Sequence, residues 1–155
     1  MFSTKRVLII AILLVLTGAG IGFFQYYSQN NEPHVILINQ NGQKIKVFVE
    51  IVDTPDSRAH GLMDRDYLGK NNGMLFLMDE EEVQSFWMKN TRIPLDMIFI
   101  FSDWKIAGII ENTTPYSLEP RSIEMPSKYV LEVNGGFCQQ HNIKAGDKVI
   151  FNSKK

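Results

Sequence analysis

The residue types able to do chemistry crowd into one apolar stretch. FWMKNTRIPLDMIFIF, residues 86 to 101, carries Lys89, Asn90, Thr91, Arg92 and Asp96 among aromatic and aliphatic neighbours. In an extended strand Phe86, Met88 and Asn90 face one way and Trp87, Lys89 and Thr91 the other. After Pro94, the residues Leu95, Met97, Phe99 and Phe101 share a face, which leaves Asp96 with Ile98 and Ile100. Both faces of that second segment are apolar, so it belongs in the centre of a sheet, and a buried Asp96 must be partnered. Lys89, Arg58 and Arg65 are its candidate partners. Pairing alone would make this a salt bridge that fixes strand register. The sharper reading is a polar cleft in which Lys89 and Asn90 meet a ligand.

Arg58 and Arg65 stand seven residues apart, about two helical turns, and their planar guanidinium groups suit a carboxylate or phosphate. The plainer reading is two arginines that cap carbonyls or lie along a helix. Combined with the central stretch, the candidate ligand-binding set is Arg58, Arg65, Trp87, Lys89, Asn90 and Asp96, with Trp87 as a stacking wall for a small anionic, sugar-like or peptide ligand. The rival is an enzyme, a hydrolase of envelope material with Asp96 or Glu132 as general base and a nearby cation stabilising negative charge. A third class is a structural or assembly protein.

Other chemistries find less support. The single cysteine, Cys138, excludes an intrachain disulfide and any multi-cysteine zinc site. Cys138 and His141 would share a helix face as thiol and base, yet a lone buried thiol is the commoner case. His34, His60 and His141 lack metal-ligand spacing, and the methionines sit in apolar runs where they fill gaps rather than bind copper. Neither metal nor cofactor is expected. Net charge is −1, with Lys/Arg and Asp/Glu interspersed, which disfavours nucleic acid as a partner.

These residues need elements to hold them. HVILIN (34 to 39) and KIKVFVEIV (44 to 52) read as a hairpin whose Asn41-Gly42 pair supplies two positive φ angles. Thr54 can cap a short helix that begins at Pro55 and ends at Gly61. GMLFLM (73 to 78) is a strand followed by an acidic turn, and QSFWMKNT and PLDMIFIF are two strands broken at Ile93-Pro94. WKIAGIIEN (104 to 112), KYVLEVN (128 to 134), a short helix within GGFCQQHNIKAGD and a closing KVIF complete the chain. Seven or so short strands with two helical pieces predict a mainly β fold, a compact antiparallel sandwich or barrel.

Residues 1 to 27 differ from the rest. Lys5 and Arg6 precede a run without charge from Val7 to Gln25, close to the roughly 20 residues that cross a bilayer. The basic pair predicts an N-terminus retained inside, with everything after Tyr27 exported. An uncleaved transmembrane anchor is the preferred reading, and a signal peptide cleaved near TGAG is the alternative. Residues 28–33 form a polar linker, and 34–155 the working domain outside the cytoplasm, periplasmic or extracellular.

RAHGLMDRDYL, GMLFLM, FWMKNTRIPLDMIFI, YVLEVNGG and IKAGDKV occur in that order and resemble the successive motifs of the DUF192 family, also called UPF0127. The resemblance covers about residues 35 to 151. It implies a mostly β single domain, often exported and without an established activity; it supplies no catalytic residue and no cofactor. Arg58, Arg65, Trp87, Lys89, Asn90, Asp96 and Glu132 all fall on matching positions, whereas Cys138 and the histidines fall outside them.

Overall fold

Alternating β-branched and polar residues make β1 (His34–Ile38) and β2 (Lys44–Val52) a hairpin, as expected. The description rests on a computed structural model and covers residues 32–153. In the connecting turn only Gly42 is left-handed, at φ 76°, and the Asn39 side chain accepts from the amides of Asn41 and Gln43. A tight two-residue turn is thereby replaced by a slightly longer one that ends in a glycine.

The helix α1 (Pro55–His60) forms where expected. Thr54 and Ser57 satisfy each other's backbone amides in a capping box, Pro55 opens the helix, and Gly61 closes it at φ 50°. Then come β3 (Asn72–Glu82), β4 (Leu95–Ile100), β5 (Ile106–Ile110), β6 (Ser127–Asn134), α2 (Phe137–His141) and β7 (Lys148–Asn152). The acidic run after GMLFLM belongs to β3 itself. QSFWMKNT is not a strand: only Phe86 pairs, with Arg121, and the Met88 amide donates to Ser117 O. The segment is a cover over the sheet.

Among the described residues seven strands form one sheet, in the order β5-β4-β6-β3-β2-β1-β7. The expected antiparallel pattern holds except for β2 and β3, which run parallel because α1 carries the chain back over the sheet. The sheet curls into a half-barrel whose edges touch at one corner, where Ile106 N donates to Asp147 O and Val149 N to Trp104 O, at 2.9 and 2.8 Å.

Both faces of the central strands are buried, so there are two cores. The concave core gathers Val35, Leu37, Val47, Leu75, Ile98, Leu131 and Val133. On the convex face Leu62, Met74, Phe76, Met88, Met97 and Phe99 lie under α1 and the 86–93 segment. Strand β4 is buried along its whole length, as its apolar pattern predicts. Among the described residues no helix is long and apolar enough to cross a membrane. The expected anchor at 1–27 lies outside them.

Candidate functional site

Two buried carboxyls come from this central sheet, and they have opposite surroundings. Asp96, fully buried, points into the concave core. Its oxygens accept from the backbone amides of Asn112 (2.7 Å), Gly136 (3.0 Å) and Cys138 (2.8 Å). The expected ion pair with Lys89, Arg58 or Arg65 does not form. Three backbone donors satisfy Asp96 instead, and they pin the end of β5 and the start of α2 to the sheet. Cys138 is buried beside it, and burial followed by the Asp96 charge pushes the thiol well above its ordinary range. The neighbouring His141 ring lies 4.5 Å from that of Phe137.

Glu132 is one register position away and faces the other side. It pairs with Met74 of β3 and Met97 of β4, both buried methionines of the convex core. The residue is 4% exposed, and no hydrogen bond or ion pair reaches its carboxyl among the described residues. Burial alone pushes the carboxyl up to about 8, since no donor or cation offsets the lost hydration.

Glu132 lines a narrow cleft. One wall is the end of α1 and the turn after it, Arg58 to Met63; the other is Phe86, Trp87 and Thr91. About 20 Å³ is open, room for one water-sized group. The walls are held from several sides. The Arg58 guanidinium donates to Asp53 O and Leu77 O and pairs with Asp79 at 2.6 Å, which clips α1 to β3. Across the cleft, Asp64 N donates to Asn90 O, and Arg92 reaches both Asp64 and Asp66. Asn90 takes φ 52° at this turn, a conformation asparagine tolerates better than most residues. Phe86 is set edge-on against Phe76 and Phe99.

The six sequence-derived candidates therefore separate. Arg58 and Trp87 line the cleft, with Trp87 48% exposed. Lys89 lies over the Trp87 ring, 5.3 Å from its centre, and Asn90 holds the adjacent turn. Arg65 pairs with Glu50 at 2.6 Å, on the cross-strand row that runs Glu50, Met74, Glu132, Met97. Asp96 is behind the sheet. His60, Gly61, Met63, Phe86 and Thr91 were missed as lining residues, and nothing in their types marks them. Glu132 had a signal: it is the lone acid within the apolar run of YVLEVN.

A second groove of about 260 Å³ lies between Tyr67, Lys70, Asn134, Phe137 and Gln140. It is larger and more open, but the Asn134 amide nitrogen is already bonded to Leu68 O and Gly69 O. Among the described residues no acidic side chain lines it. Among the described residues no group of acidic, histidine or cysteine side chains could hold a metal ion.

Comparison with known proteins places this geometry in a family. The family model DUF192, described as an uncharacterised ACR, matches residues 36–151. No curated protein matches the chain. Similar solved structures include a candidate transcription regulator from Sinorhizobium meliloti 1021, 38% identical over 77% of this chain and 92% of that one, with a TM-score of 0.75. Another is a protein of unknown function from Novosphingobium aromaticivorans DSM 12444, 38% identical over 76% and 83%, with a TM-score of 0.73. The chain belongs to the DUF192 family.

Proposed function

We propose that this DUF192 member is a binding or accessory domain that takes a small polar group of its ligand into the cleft over Glu132, with Trp87 as the exposed wall. One observation carries the reading: a carboxyl that is almost wholly buried, has no partner among the described residues, and borders an opening. Burial strips hydration from this carboxyl and no protein donor among the described residues offsets the loss, so its retention beside a cleft favours a partner supplied from outside. The site differs from the one expected from sequence. Arg58 supports a wall, Lys89 and Asn90 stand at the rim, Arg65 pairs with Glu50 at the surface, and Asp96 maintains the fold.

The hydrolase reading is weaker on the same geometry. Asp96 has both oxygens taken by backbone amides, and Glu132, protonated near neutral pH, is suited to donating a proton rather than removing one. Export and anchoring through residues 1–27 remain part of the proposal. The uncharged run behind Lys5 and Arg6 supports them, and protease accessibility of the domain in intact cells tests them. The regulator description belongs to the Sinorhizobium protein; here the interspersed charge and net −1 along the sequence disfavour DNA as a partner.

The ligand claim is tested by adding a panel of small carboxylic acids, sugars and dipeptides while the two indole N–H resonances are followed. Trp87 is expected to shift with one class while Trp104, stacked on Tyr129 at 4.0 Å, stays still. A panel that leaves Trp87 unmoved contradicts the reading.

A further inference from the structure

Resting on the cleft reading above, we infer that the group it receives is a carboxylate, held by a hydrogen bond donated from the neutral carboxyl of Glu132. The argument begins with what the cleft lacks. A carboxylate Glu132 would need donors, and neither wall turns one toward it: the Thr91 hydroxyl donates to Lys89 O, and the Arg58 NH1 and NH2 groups are engaged with Asp53 O, Leu77 O and Asp79. The protein therefore favours the neutral acid, as the raised pKa of about 8 also indicates. A neutral acid at the edge of a cleft needs an acceptor for its O–H.

The surroundings choose among acceptors. Arg58 and His60 border the cleft from the α1 side, and Lys89 stands over Trp87 on the other. On the sheet side the immediate neighbours are Met74 and Met97, and the nearest charges along that row, Glu50 and Arg65, neutralise each other. Among the described residues no second acid lines the cleft. An ammonium group would find no carboxylate lining the cleft to receive it among the described residues, whereas a carboxylate meets a donor below and Lys89 beside Trp87 at the rim, Arg58 being already paired with Asp79. Room for one water-sized group, about 20 Å³, fits the end of a carboxylate better than the broader tetrahedron of a phosphate. The carboxylate could be that of a small organic acid or of a peptide C-terminus. Trp87, half exposed beside the mouth, would pack against whatever follows it.

The test uses the full-length chain, with formate and methylammonium titrated separately while the Trp87 indole N–H is followed. Formate is expected to bind and to weaken about tenfold between about pH 7 and pH 9, because formate stays ionised there while Glu132 loses its proton. Glu132→Gln keeps a donor and no titrating group, so formate binding is expected to persist without that pH dependence. Glu132→Met removes the donor and the binding. An acetylated tripeptide with a free C-terminus, set against its C-terminal amide, separates the two sources: a preference for the free peptide over formate identifies a chain end, and formate binding with no gain from the peptide identifies a small acid. Methylammonium binding in place of formate, or loss of formate binding in Glu132→Gln, overturns the carboxylate assignment while leaving the cleft as a site. A Trp87 signal unmoved by any of these probes overturns the site itself.

Discussion

Asp96 and Glu132 lie on adjacent strands, one register position apart, and face opposite sides of the same sheet. Asp96 aligns with Val133 and Glu132 with Met97, so alternation along β4 and β6 sends the two carboxyls apart. One meets three backbone amides and the other meets none. The carboxyl whose valences are closed holds loops together, and the one that meets no donor among the described residues borders the cleft.

Asp96→Asn tests the first half. The amide nitrogen cannot accept, so at least one of the Asn112, Gly136 and Cys138 amides faces a donor or is left unmatched. A loss of about 2–4 kcal/mol is expected in urea unfolding. Cys138, fully buried in the native chain, should become open to a thiol reagent as α2 loosens. Native stability together with a protected thiol would show that the three bonds do not anchor α2.

Glu132 makes stability depend on pH in a stated direction. The folded chain holds this proton up to about pH 8, whereas the unfolded chain releases it near the ordinary value of 4.5. Below about pH 4.5 both states are protonated and burial of the acid carries no ionisation penalty. Between the two values the unfolded chain gains by ionising and the folded chain does not, so stability falls as pH rises and levels off above about pH 8. Glu132→Gln has no such titration. Relative to the parent it should gain at most about 5 kcal/mol between about pH 4.5 and pH 8.5, read by urea unfolding at several pH values. Parallel curves for the two proteins would contradict the assignment.

The two arginines singled out together should behave differently. Arg58, with a side chain only 13% exposed, bonds two backbone carbonyls and Asp79. Arg58→Ala is expected to lose about 2 kcal/mol, because those carbonyls lose a charged donor and α1 its tie to β3. Arg65 and Glu50 form a pair open to solvent, and Arg65→Ala should change stability by about 0–1 kcal/mol. Thermal melting of the two variants side by side distinguishes these outcomes.

What could be read in advance followed local rules. The α1 cap is written in Thr54, Pro55 and Gly61, and the burial of β4 in its two apolar faces, because both depend on neighbours in sequence. The parallel pairing of β2 with β3 was not legible, since register between distant strands leaves no mark on either one. The 86–91 segment has a strand-like pattern, but its amides bond across to residues 117 and 121, and tertiary contacts override the local preference. Asp96 was recognised as a buried acid that must be satisfied. Its actual donors are backbone amides, which no side-chain type announces, so arginine and lysine drew the inference away from Asn112, Gly136 and Cys138. Of the residues lining the cleft, Trp87 and Arg58 stand out in the sequence by type, and Glu132 as the lone acid of YVLEVN.

A site-resolved carbon-13 titration of the Glu132 side-chain carboxyl, with and without formate, tests the central claim most directly. The predicted result is a midpoint near 8 in the free protein that moves upward when formate is present, because the anion stabilises the protonated acid. A midpoint near the ordinary 4.5, or one near 8 that formate does not move, would contradict it.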